Sequence, residues 1–118
     1  MAGFESNDFS APRETRSPSL TTVELVDVGG REVGRYTFEP GWRWSECIKP
    51  VTGTDSCQVE HLGYMVSGSM HLVHDDGTTG DMTPGAVYHV APGHDAWVTS
   101  DEPAVLIEFA DPADYAKG

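Results

Sequence analysis

Two histidines that lie beside turns in apolar segments are the residues of this chain best placed to do chemistry. His61 begins the run His61–Gly68, and His94 follows directly after Pro92-Gly93. Both segments are typical of β-strands joined by tight turns, and a closed sheet could bring the two imidazoles into one cavity. Imidazole nitrogen is a common ligand of transition metals in proteins. The type and placement of these residues therefore predict a metal site.

The composition limits the partners that this chain could have. Its 118 residues are enough for one domain that buries a core without disulfide bonds. Nineteen acidic residues against seven basic ones give a formal net charge of −12. That charge opposes attraction to phosphate backbones and to anionic membrane surfaces. We therefore expect a small-molecule ligand or substrate, and neither a nucleic acid nor a membrane partner.

The N-terminal sequence and the cysteines indicate the compartment. The first residues lack the basic and apolar regions of an export signal, and no run approaches the ~20 apolar residues of a membrane span. We expect the protein to be cytoplasmic. A reducing compartment argues against a structural disulfide between its two cysteines, Cys47 and Cys57. They are expected to be free thiols or metal ligands.

Turn residues divide the chain into short β-type segments. Residues 1–20 are polar and aperiodic, which predicts a flexible N-terminal arm. From residue 21 to 111, turn residues recur at intervals of roughly eight to twelve residues, as in an all-β sandwich or barrel. Residues 112–118 are expected to fray as a C-terminal tail, with at most one helical turn. No other helix is predicted.

Strand periodicity predicts which side chains share a face. Residues 42–48 are expected to form a strand in which Glu46 and Cys47 lie on opposite faces, so that only one of them could reach a metal. If His61 faces inward on its own strand, then Leu62 and Tyr64 face outward, and both faces of that strand are apolar. A strand buried on both sides is expected where a second sheet or a partner chain covers its outer face. This pattern favours a homodimer.

The turns and motifs of residues 34–110 resemble those of the cupin superfamily. The second motif of that family, a Pro-Gly, a strand, a second Pro-Gly and a His, is matched by residues 84–94. Residues 64–68, Tyr-Met-Val-Ser-Gly, resemble the strand end of the first motif, which places His61 where most cupins have a glutamate ligand. The resemblance implies a double-stranded β-helix, or jelly-roll barrel, that is often dimeric and holds one divalent metal.

The chain departs from the cupin pattern in its candidate ligands. It has no His-x-His pair, but Cys57 lies four residues before His61. The resemblance therefore points to Cys57, His61 and His94 as metal ligands, with Cys47 or Glu46 as a possible fourth. One thiolate and two imidazoles suit zinc first and iron(II) second, and they suit magnesium or calcium poorly.

Two classes of function are compatible with such a site. The first is a metal-dependent enzyme that acts on a small molecule as a lyase, isomerase, hydrolase or dioxygenase, with Glu46 or a cavity histidine as general base. The second is a non-catalytic module that binds a small ligand or senses redox state or metal, and a metal-free barrel is a third possibility. Three protein ligands would leave zinc an open position, whereas four would close the site. Nucleophilic pairing of Cys57 with His61 would need a turn, because residues four apart on one strand are separated by roughly 13 Å.

Overall fold

Nine strands and three short helices make up the part of the chain that the computed structural model describes, residues 3–110 and 112–117. The ends of the predicted arm, barrel and tail (Met1, Ala2, Asp111 and Gly118) lie outside the described residues. The strands are β1 (Glu14–Arg16), β2 (Thr21–Val28), β3 (Arg31–Phe38), β4 (His61–Ser67), β5 (Met70–His74), β6 (Thr79–Met82), β7 (Val87–Val90), β8 (His94–Val98) and β9 (Ala104–Glu108). The helices are α1 (Trp44–Cys47), α2 (Lys49–Thr52) and a 3₁₀ helix (Pro112–Asp114).

The strands form two antiparallel sheets that enclose one core. The larger sheet has six strands in the order β1-β2-β3-β9-β4-β7, and the smaller sheet has three in the order β6-β5-β8. Buried side chains from both sheets, among them Leu25, Met65, Met70 and Val98, belong to one apolar cluster. The predicted all-β jelly-roll barrel is thus confirmed. No helix in residues 3–110 or 112–117 is long and apolar enough to cross a membrane.

The hairpin of β2 and β3 shows how local sequence sets the register of the large sheet. Gly29 and Gly30 both have positive φ, 58° and 76°, as a tight hairpin turn with matching twist requires. Val28 then pairs with Arg31, and the pairing continues without a break to Thr21 and Phe38. On its other side β3 pairs with β9, and β9 pairs in turn with β4. The C-terminal strand is therefore placed beside the strand that begins with His61.

The segment predicted as a strand over residues 42–48 is helical, so that prediction is wrong. Only Arg43 retains a strand-like contact, an isolated bridge to Trp97. The chain then forms α1, whose first turn is held by Asp95 Oδ1, which accepts a hydrogen bond of 3.1 Å from the Ser45 N–H. The buried residues Trp44, Cys47 and Ile48 have the i, i+3, i+4 spacing of a helix face, a signal that outweighs alternation here.

Parts of both terminal segments pack on the barrel. Within the predicted flexible arm, β1 pairs with β2 along the edge of the large sheet. Arg16 of β1 donates hydrogen bonds to the carbonyl oxygens of Ala113 and Tyr115, at 2.6 and 2.7 Å. Tyr115 is buried and stacks on Tyr36 with ring centroids 4.6 Å apart. The segment predicted to fray therefore closes one end of the core.

Candidate metal centre

Cys57, His61 and His94 converge inside the barrel. One potential ligand atom from each residue lies within 4.8 Å of those of the other two. All three residues are buried, and the ring centroids of His61 and His94 are 5.1 Å apart. The structure thus brings together two imidazoles and a thiol that come from separate segments of the chain.

Main-chain pairing places Cys57 beside the two histidines. The Cys57 N–H donates to the His94 carbonyl oxygen at 2.7 Å, and the Gly93 N–H donates to the Cys57 carbonyl oxygen at 2.6 Å. Cys57 therefore bridges to the start of β8 and does not extend β4. Because the chain turns between Cys57 and β4, Cys57 Sγ lies 3.7 Å from His61 Nε2. The separation of roughly 13 Å expected for a continuous strand does not apply.

A buried carboxylate orients His61. Glu108, the last residue of β9, is fully buried, and its Oε1 accepts a hydrogen bond of 2.7 Å from His61 Nδ1. Its other oxygen accepts a hydrogen bond from the Tyr88 hydroxyl. Gly63, the register partner of Glu108, leaves room for this arrangement, since a Cβ there would lie 2.6 Å from the Tyr88 oxygen and 2.8 Å from Glu108 Oε2.

His94, like His61, has its Nδ1 atom within hydrogen-bond distance of an oxygen acceptor. Its Nδ1 is 3.0 Å from the carbonyl oxygen of Ala91, which can only accept a hydrogen bond. Since the Nδ1 atoms of both rings donate to oxygen acceptors, each imidazole in its neutral form has its lone pair on Nε2. Outer hydrogen bonds of this kind are the usual companions of metal-bound histidines.

The three side chains change one another's proton affinity. Burial raises the pKa of the Cys57 thiol, but the hydrogen bonds and charges of His61 and His94 outweigh burial and lower it to about 6. Burial lowers the pKa of His61, but its hydrogen bonds to Cys57 and Glu108 and their charges outweigh burial and raise it to about 9. Without a metal, the pair is therefore a thiolate beside an imidazolium at neutral pH, and the thiolate is the form that binds metals.

The two imidazoles line a small apolar cavity of about 30 Å³, which is room for one or two water molecules. Leu72 and Val90 line both this cavity and a larger one of about 290 Å³. The two cavities therefore share part of their walls. The remaining lining of the small cavity is mostly aromatic and aliphatic: Tyr36, Phe38, Trp42, Trp44, Met70, Met82, Tyr88, Ala96 and Tyr115.

The two residues predicted as a fourth ligand do not join the cluster. Cys47 is buried in α1, but the cluster found in the described part of the chain consists of Cys57, His61 and His94. Glu46 is exposed on α1, so its predicted role as a general base in the cavity is wrong as well. Both errors follow from treating residues 42–48 as a strand, because a helical turn directs these side chains differently.

Glu108 is the site residue that sequence reasoning missed. It lies in the apolar run 104–109, where Ala104, Leu106 and Glu108 alternate on the buried face. A charged residue at an inward position of such a strand is a signal, because buried charges are almost always paired. Its partner, His61, is 47 residues away in the sequence, and only the pairing of β4 with β9 reveals it.

The sequence has no match among protein-family models, and no curated protein is significantly similar to it. Several solved structures have a similar fold. The polyketide cyclase RemF from Streptomyces resistomycificus is 18% identical, with 91% of this chain and 78% of that one covered and a TM-score of 0.62. A cupin-superfamily sugar phosphate isomerase from Silicibacter pomeroyi is 19% identical, with 88% and 73% covered and a TM-score of 0.61.

A cupin domain from Bordetella pertussis is 21% identical, with 76% of this chain and 91% of that one covered and a TM-score of 0.52. These likenesses extend over most of each chain and agree with the two antiparallel sheets and with the motifs in residues 64–68 and 84–94. The chain therefore has the fold of the cupin superfamily.

Proposed function

We propose that this protein binds one divalent transition metal, zinc first and iron(II) second, through Cys57, His61 and His94. We further propose that it is a metal-dependent enzyme that acts on a small molecule. The observation that carries the proposal is the orientation of the two imidazoles. In each ring, Nδ1 is hydrogen-bonded to an oxygen acceptor. His61 Nε2 lies 3.7 Å from Cys57 Sγ, and the pKa of that thiol is lowered.

The distance between two of the donor atoms suits a tetrahedral zinc site. Zn–S and Zn–N bonds of ~2.3 and ~2.0 Å imply an edge of about 3.5 Å between sulfur and nitrogen in a tetrahedron. The 3.7 Å between Cys57 Sγ and His61 Nε2 is close to that length. One thiolate and two imidazoles are also a donor set that zinc prefers and magnesium does not. A thiolate ligand needs a reducing compartment, in keeping with the predicted cytoplasmic location.

The number of donors favours a catalytic site over a structural one. The cluster in the described residues offers three donors and adjoins a cavity, whereas structural zinc sites have four protein ligands. When bound there, a divalent ion would polarise a carbonyl oxygen or lower the pKa of a bound water. Glu108 holds the ring of His61, the Ala91 carbonyl holds His94, and the apolar walls exclude bulk water.

The alternative is a redox- or metal-sensing module. It is favoured by the single thiolate in the proposed ligand set, since oxidation of Cys57 would release the metal. Because three donors would leave an open position on the metal, the enzyme is the better supported of the two functions. Two proteins of similar fold, named a polyketide cyclase and a sugar phosphate isomerase, also suggest a small-molecule substrate.

Metal analysis of the purified protein tests the proposal directly. Protein prepared under reducing conditions without chelators is expected to contain about one equivalent of a transition metal per chain, zinc in preference to iron. Elemental analysis by mass spectrometry measures the amount and the identity together. A content well below one equivalent, with no uptake of zinc on reconstitution, would contradict the proposal.

We also propose that the protein is a homodimer joined through the outer face of β4 and β7. Leu62, Tyr64 and Val66 on β4 and Val87 on β7 are all exposed, and Tyr64 pairs directly with Val87. Adjacent exposed apolar side chains often mark an interface. A net charge of −12 repels copies of the chain elsewhere, so a mainly apolar face is the place where two copies can meet.

Light scattering coupled to gel filtration checks this expectation. The wild-type protein is expected to have the mass of two chains, and Val87→Asp is expected to shift the mass to that of one chain, because each copy then buries a carboxylate in the interface. Val51→Asp, at an exposed apolar residue away from this face, is the control. A monomeric wild type at micromolar concentration would show that the face serves another purpose.

A further inference from the structure

The indole of Trp44 carries a hydrogen-bond donor that the protein does not use. Trp44 is 2% exposed. Among the residues that the structure describes, its Nε1 is the one buried side-chain nitrogen or oxygen without a hydrogen-bond partner. An indole N–H can only donate, and a buried donor without an acceptor is unfavourable. The few such groups in folded proteins need an explanation, such as a water or a ligand.

Trp42 shows the arrangement of a purely structural tryptophan in the same place. It is equally buried and lines the same small cavity. Its Nε1, however, donates to Thr21 Oγ1 at 2.8 Å, and its ring stacks on Phe38 with centroids 3.9 Å apart. The fold therefore supplies an acceptor for one tryptophan of this pair and leaves the other without one.

Trp44 lies beside the metal centre, where it also lines a second cavity together with Cys57. Trp44 lines the same cavity of about 30 Å³ as His61 and His94. The geometry points to Trp44 as a ligand-binding residue, whose N–H donates to an oxygen atom of a small molecule held in that cavity beside the proposed metal ligands. This inference rests on the metal site proposed above and adds the chemical class of its ligand.

Charge favours a neutral carbonyl oxygen over a carboxylate. A divalent ion, the Cys57 thiolate and the Glu108 carboxylate have formal charges that sum to zero. An anion would add an uncompensated charge to a buried site, which is costly, whereas a carbonyl would not. The small cavity has room for little more than the carbonyl group, and the rest of the molecule would lie in the adjoining cavity of about 290 Å³ that begins at Leu72 and Val90.

Two probes of equal size test both parts of this inference. Wild-type protein, Trp44→Phe and Trp97→Phe are loaded with cobalt(II), and formamide or formate is titrated while the visible spectrum of the metal is followed. Trp44→Phe is expected to weaken formamide binding roughly two- to tenfold, the contribution of one hydrogen bond. Trp97 packs under Arg43 and does not line this cavity, so Trp97→Phe makes the same exchange away from the ligand and formamide binding should stay within twofold of wild type.

Three outcomes would overturn the inference: wild-type affinity for formamide in Trp44→Phe, no formamide binding by the wild type, or tighter binding of formate than of formamide. Cobalt content is measured separately in each protein, and failure of the wild type to take up cobalt would instead contradict the proposed metal site.

A measurement on the wild type tests the inference even if a variant does not fold. On addition of formamide, the indole N–H resonance of Trp44 should move downfield while that of Trp42 stays in place, and the absence of this difference counts against a hydrogen bond to the ligand. Denaturant unfolding also tests whether the Trp44 donor is free. Because Trp42→Phe removes the hydrogen bond to Thr21 Oγ1 and Trp44→Phe removes none, Trp42→Phe should unfold at lower denaturant than Trp44→Phe. Equal midpoints would mean that the Trp44 donor is not unpaired.

Discussion

Replacing Cys57 with serine is expected to abolish high-affinity metal binding, whereas the same replacement at Cys47 is expected to leave it intact. Cys57 Sγ is one of the three clustered donors, and serine offers a hydroxyl that stays protonated at neutral pH. The loss should exceed the ~10- to 100-fold that removal of an outer hydrogen-bond partner of a ligand costs. Competition with a chromophoric chelator under reducing conditions measures both affinities.

Cys47→Ser is a matched control because the two cysteines differ mainly in position. Both are free thiols and both are buried. A hydroxyl at position 47 should lower the stability of the protein, because Cys47 lies in the apolar core. It should not lower the metal affinity. Loss of metal from Cys47→Ser to the same extent as from Cys57→Ser would restore Cys47 as the fourth ligand and would close the coordination sphere.

The sequence contained enough information to predict the barrel and the three residues that converge inside it. Turn residues such as Gly29-Gly30 and Pro92-Gly93 are local signals, and they place the strands and His94 without knowledge of the tertiary structure. His61 was recognised because its strand ends in a recognisable motif. These features depend on short-range chain geometry, which a sequence pattern reports well.

The rest of the centre depends on contacts between distant segments. Cys57 was predicted as a ligand because it lies four residues before His61, but it reaches the histidines through a main-chain bridge to His94 that this spacing does not encode. Glu108 reaches His61 because β9 enters the sheet between β3 and β4. Glu46 was misplaced for a different reason, since four residues can satisfy a strand or a helix pattern equally and tertiary packing decides between them.

Replacing Glu108 with glutamine is the second substitution for which a large effect is expected. Glutamine preserves the size of the side chain and can still accept the hydrogen bond from His61 Nδ1, but it removes the negative charge that polarises the imidazole. Metal affinity should fall by ~10- to 100-fold, the range found when the outer partner of a metal-bound histidine is lost. Tyr88→Phe is the matched control, because it removes the other hydrogen bond to Glu108 and keeps the charge, and its effect should be the smaller.

A second measurement distinguishes whether Glu108 orients His61 or only fills space. In the metal-free protein, hydrogen bonds and charges from Cys57 and Glu108 raise the pKa of His61 to about 9. Between pH 6.5 and 9 the raised pKa of His61 makes the folded state lose stability as the pH rises, but the pKa of Cys57, lowered to about 6, makes it gain stability over nearly the same range. Because the two changes oppose each other, the titration of His61 itself is the measurement. Glu108→Gln should lower the pKa of His61 in an NMR titration of the metal-free protein. If both the titration and the metal affinity were unchanged, Glu108 would be a packing residue, and the orientation of His61 would have to come from the strand alone.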